Sequence, residues 1–182
     1  MTISERIQFL CELEEICFHT YDEAQLKHPK LLDETRYALV EYGLPDSSRL
    51  GLNFYNYEGK SIPTVSEYFN LGPSWSTEDK VALDNNLVIG FNGSGDPVCI
   101  DLANNNELVF LNHDNDFQPN FINTSIQQFL ECLLLLEEVR RMNNKPDFEE
   151  VLNQFIMIDS ECVWEGDSWY SEINYLVHGQ QE

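Results

Sequence analysis

The densest grouping of chemically capable side chains in the sequence is His113-Asp114-Asn115-Asp116. One imidazole and two carboxylates this close together could hold a hard divalent cation or share a proton in acid–base work. The spacing fits no specific metal signature. A calcium loop needs a following glycine and a distal glutamate at set positions, and Phe117 and Gln118 do not supply them. A solvated loop accounts for the same residues, and no metal or other cofactor is expected.

The glycines Gly90, Gly93 and Gly95 superficially resemble a phosphate loop. No Lys-Ser or Lys-Thr follows them, and the segment reads as the joint between two strands rather than the start of a helix. Asp96 would also meet any incoming anion. A tight hairpin is the better reading. Ser94 sits in Gly93-Ser94-Gly95, which falls short of a full nucleophile elbow. The five cysteines (Cys11, Cys17, Cys99, Cys132 and Cys162) have no basic neighbour in sequence and no C-x-x-C spacing. Nothing there activates a thiolate, and buried free thiols in a reducing cytosol are expected. His19, His28 and His178 fall in unrelated contexts. Carboxylates are so numerous that any two could be paired on paper, so their abundance says nothing about catalysis. No catalytic residue is assigned.

That abundance does carry a physical consequence. The 182 residues hold 32 acidic against 10 basic side chains, a formal charge of −22. No Lys or Arg occurs between Lys80 and Arg140, and none follows Lys145. Such a surface repels phosphate backbones, which argues against nucleic acid as a ligand. The same field attracts basic proteins and speeds their encounter, although acidity can also serve solubility alone. Hydrophobic residues make up 42% of the chain, enough for a packed core. The first residues lack the pattern of a signal peptide, and no stretch reaches the roughly 20 apolar residues of a membrane span. A cytoplasmic, membrane-free location is expected.

The elements that must position these residues follow from pattern. Thr2-x-x-Glu5 opens a helix carrying Ile3, Ile7 and Leu10 at helical spacing. A second helix is predicted from Asp33, read as its cap, to Tyr42, with Leu39 and Val40 on its apolar side. Gly43 and Leu44-Pro45 stop it. Leu50 to Tyr57 reads as an aromatic strand, Ile62 to Phe69 as strand or short helix, and Leu71 to Asp79 as loop. Leu87–Phe91, Pro97–Leu102 and Glu107–Leu111 are three strands joined by short turns, an antiparallel meander. Asn112 to Asn120 reads as a polar loop. Thr124-x-x-Gln127 is read as the cap of a long helix through Phe129, Leu133 and Leu136. Asp147 caps another, and Trp169, Ile173 and Leu176 mark a last one. The fold class is α+β: a curved antiparallel β-sheet flanked by N-terminal and C-terminal helices. A single domain over 1–182 is expected, with 1–32 a helical extension and 146–182 a C-terminal helical segment.

Three pieces of this chain together resemble the SUKH superfamily, in particular its branch of bacterial toxin-immunity proteins. They are Tyr42-Gly43-Leu44-Pro45, the strand–turn–strand core from Leu87 to Asp101, and Phe121-Ile122-Asn123-Thr124-Ser125 leading to Phe129. The tail around Trp169 also fits, so the likeness extends over roughly residues 33 to 177. Ser61 to Asn86 departs from the pattern. The resemblance implies a protein that binds a cognate toxin domain, often a nuclease or nucleic-acid deaminase, and blocks it. It brings no catalytic residues. Gly90, Gly93 and Gly95 would shape the turn, and Asp96 would bond its amides.

A toxin acting on nucleic acid must present a basic groove, which an acidic inhibitor can imitate. The candidate contacts are Asp84, Asp114, Asp116, Glu165 and Asp167, with Trp164 and Trp75 as aromatic anchors. The alternative is a SUKH-like interaction or regulatory scaffold with no toxin partner. A metal-dependent enzyme using His113, Asp114 and Asp116 ranks third. The oligomeric state stays open at this point.

Overall fold

The structure is a computed structural model that describes residues 1–14, 16–48, 50–144, 146–164 and 168–179. Helix α1 (Ile3–Glu14) is followed by a short strand β1 (Phe18–His19) and helix α2 (Asp33–Glu41). Strands β2 (Leu44–Pro45) and β3 (Asn53–Phe54) lead to two short helices, α3 (Val65–Tyr68) and α4 (Thr77–Leu83). The strands β4 (Asn86–Phe91), β5 (Pro97–Asp101), β6 (Glu107–Asn112) and β7 (Gln118–Asn123) come next. Helices α5 (Ile126–Arg141), α6 (Phe148–Ile158) and α7 (Ser168–His178) complete the chain.

The sheet is an antiparallel meander in the order β3-β4-β5-β6-β7, and β1 pairs separately with β2. Register shifts between Val88 and Gly90 and between Leu108 and Val109 interrupt the regular pairing of β4 with β5 and of β6 with β7. The sheet is open, and the class is α+β.

Both faces of the sheet are covered, because its central strands carry apolar residues at successive positions. On one face Leu87, Ile89, Val98, Ile100 and Leu108 pack with α5. That helix buries Phe129, Leu130, Leu133, Leu135, Leu136 and Val139, more than one narrow apolar stripe, so it needs cover beyond the sheet. Here α1, α2 and α6 also lie against it. On the other face Val88, Cys99, Val109 and Leu111 pack with Val65 of α3 and Leu83 of α4. Tyr21, Leu26 and Leu31, which precede α2, belong to the main core.

Several local expectations change. Leu32, not Asp33, is the N-cap of α2 and makes no side-chain cap bond. Asp33 sits in the first turn, where its charge still suits the helix dipole. Val40 is exposed while Ala38 and Leu39 are buried. The α5 cap is Ser125, whose Oγ accepts from the Gln128 amide at 3.2 Å, so the register is one residue later than predicted. Cys99, Cys132 and Cys162 are buried as expected, but Cys17 is exposed. The loop predicted for 71–79 ends in α4, and that predicted for 112–120 ends in β7. Pro119 fits β7 because the strand is at an edge, where a missing N–H costs little.

Candidate docking surface

The two hairpins beside the glycine-rich turn are tied together by one carboxylate. Asp96 Oδ1 accepts from the His113 amide at 3.0 Å and faces His113 Nδ1 at 2.7 Å. Its Oδ2 accepts from Asn92 Nδ2 at 2.9 Å. Burial alone raises the Asp96 pKa, but these hydrogen bonds and the imidazole outweigh it and hold the carboxyl below its ordinary value. The turn amides of Ser94 and Asp96 instead donate to Asn92 Oδ1, so Asn92 performs the role expected of Asp96.

The three glycines also differ in role. Gly95 has φ +87°, a left-handed turn position. Gly90 lies inside β4, where a Cβ would collide with the Asn53 carbonyl of β3. It shapes the close approach of an edge strand, not the turn. A Cβ added at Gly93 would meet nothing within 4 Å.

That close approach brings an aromatic strip together. Tyr55, just after β3, lies 5.7 Å from Phe91 at the end of β4. Phe91 lies 5.1 Å from Tyr68 and 6.2 Å from Phe69. Phe69 lies 5.5 Å from Phe117 in the β6–β7 turn, and Phe117 lies 5.8 Å from Trp75. Tyr55, Tyr68 and Phe69 are 40%, 41% and 37% exposed, a large apolar offering for three ring side chains in succession. Asp116 and Phe117 hold φ of 50° and 55°. A bulky residue rarely adopts that conformation, and here it presents the Phe117 ring to the strip.

At the Trp75 end the strip borders an open cleft of about 560 Å³. Trp75 and Phe117 line it together with the carboxylate residues Asp79, Asp101 and Asp116. Leu83 and Leu111, both buried, form apolar lining. Asp101 is fixed by the Ala103 amide at 2.8 Å and Asn104 Nδ2 at 2.8 Å. Asp79 Oδ2 accepts from Ser76 Oγ at 2.6 Å.

The sequence candidates are therefore divided. Asp116 and Trp75 meet in the cleft. Asp114 is exposed and stands 3.4 Å from His113 Nε2. Asp84 caps α4 and accepts from Thr64 Oγ1 at 3.0 Å, a bond that joins α4 to the start of α3. Trp164 is 62% exposed and lines a different depression, with Phe121, Glu107 and Glu161. Glu165 and Asp167 lie outside the described residues. Among the described residues no three His, Cys, Asp or Glu side chains form a group that could hold a metal ion. His113 faces Asp96, and Asp116 is among the residues that line the cleft. The strip itself escaped sequence reading. Its only sequence signal was the aromatic run Phe54 to Tyr57, with Tyr68-Phe69.

No helix among the described residues is long and apolar enough to cross a membrane. No curated protein and no solved structure matches the chain. A family model described as SUKH-4 immunity protein matches residues 17–168, most of the molecule, and the chain belongs to the SUKH-4 immunity protein family.

Proposed function

We propose that this chain neutralises a cognate bacterial toxin domain, a nuclease or nucleic-acid deaminase, by docking the aromatic strip and its acidic border onto the toxin's basic groove. The observation that carries this reading is the strip from Tyr55 to Trp75, with Asp79, Asp101 and Asp116 at one end. Half-exposed aromatic rings are the side chains that dominate binding energy once desolvated. A charge of −22 steers a basic partner towards them and disfavours nucleic acid itself. The protein acts by occupancy, in the cytoplasm of the cell that carries the toxin genes, and performs no reaction.

Co-expression tests the reading. The chain should rescue growth of cells making the toxin domain encoded beside it, and the double variant Tyr68→Ala/Phe69→Ala should not. Rescue by the double variant at full strength would move the interface elsewhere. If the neighbouring product is neither toxic nor bound, the scaffold alternative replaces immunity.

A further inference from the structure

We infer that the cleft lined by Trp75 and Phe117 is a socket for a single arginine side chain of the partner protein. This rests on the toxin-binding reading and specifies its chemistry.

The cleft offers three things in one place. Its aromatic wall is Trp75 and Phe117, which pack on each other with ring centroids 5.8 Å apart and planes inclined by 54°. Its apolar lining is Leu83 and Leu111. Three acidic residues line it, from separate elements: Asp79 of α4, Asp101 at the end of β5 and Asp116 of the β6–β7 turn. No Lys or Arg is among the described residues that line it.

An arginine matches each feature. Its methylene stem covers apolar surface while the charged head stays among polar groups. Its planar guanidinium stacks on indole and phenyl faces and forks onto carboxylates. Lysine is a compact, strongly hydrated charge that gains less from an aromatic wall. Metal ions find no donors on the aromatic wall, and phosphates meet three negative charges. Toxins that grip nucleic acid carry arginines for the phosphates, so the socket would sequester one of the groups that the toxin needs for its substrate.

The test uses the full chain and defined probes. Nuclear magnetic resonance titration with the tripeptide Gly-Arg-Gly should shift the Trp75 indole Nε1 signal saturably. Gly-Lys-Gly should act more weakly, and the uncharged Gly-citrulline-Gly should not act. Asp79→Asn and Asp116→Asn together should abolish the response, since asparagine tolerates the left-handed backbone at position 116. Against the cognate toxin domain the same pair should weaken affinity by roughly tenfold or more. A Trp75 signal indifferent to arginine, or equally sensitive to citrulline, overturns the socket. So does full toxin affinity in Asp79→Asn/Asp116→Asn when Tyr68→Ala/Phe69→Ala has lost it, and that result leaves the toxin-binding reading standing. Loss of all toxin binding in the unaltered chain defeats that reading instead, and the peptide titration then decides the socket alone.

Discussion

Trp169 Nε1 donates to Asn123 Oδ1 at 2.8 Å, joining the last helix to the last strand of the sheet inside the core. Asn123 Nδ2 in turn donates to Asp159 Oδ2 at 2.9 Å. The Thr124 amide and hydroxyl donate to the same carboxylate, each at 2.8 Å. Asn123, Asp159 and Trp169 are all buried. The network links β7, the end of α6 and α7, and Trp169 also packs on Phe129 and Phe155. The Asn123-Thr124-Ser125 run, which lies within the family match, and Trp169, just beyond its end, are thus joined in one structural clamp.

Trp169→Phe should keep part of the ring packing and strand the Asn123 oxygen in a dry site. A loss of about 1–3 kcal/mol is expected, read by urea denaturation. An unchanged midpoint would remove the clamp from the account.

Gly90→Ala should push β3 away from β4, because the new methyl meets the Asn53 carbonyl and backbone cannot yield like a side chain. The expected cost is about 1–3 kcal/mol. Tyr55 should also lose its contact with Phe91, visible as altered aromatic resonances in a chain that still folds.

Asp96 supplies a pH dependence with a definite sign. Its folded carboxyl titrates below its unfolded value, so its contribution is present above the unfolded pKa and lost as pH falls through the folded one. Asp96→Asn should therefore destabilise the chain at pH 7. The gap to the unaltered protein should begin to narrow near about pH 4 and close only once the pH has fallen below the folded value. Urea melts at both pH values check this.

Glu107 behaves in the opposite sense. Burial raises its pKa, and the carboxylates of Asp101, Asp159 and Glu161 raise it further. Folding favours the protonated form, so stability from this group is lost as pH rises through its folded pKa. Glu107→Gln should raise the melting temperature at pH 7 and give no gain in acid.

The meander was legible because Leu87 to Leu111 combines apolar strands with Asn and Gly at the positions that need positive φ, such as Gly95, Asn105 and Asn106. Helix α5 was legible because its apolar spacing runs unbroken over four turns' worth of residues from Ile126 to Arg141. Helix α4 was not, because Thr77-Glu78-Asp79-Lys80 is polar and only Leu83 is buried. Its stability comes from the Ser76 cap and from tertiary packing. Strand β7 starts with the exposed Gln118-Pro119-Asn120, so backbone pairing with β6 defines it more than any side-chain pattern. The aromatic strip draws on β4, on α3 and its end, and on the segments that follow β3, precede α4 and join β6 to β7. No local pattern signals a surface that only the sheet's register assembles.

Isothermal titration of this chain with the purified toxin domain encoded beside it tests the central claim most directly. One-to-one binding that weakens with added salt is expected. Tyr68→Ala/Phe69→Ala should lose roughly tenfold or more in affinity, with the melting temperature little changed. Undiminished affinity in that folded variant, or no heat at all from the unaltered protein, would contradict it.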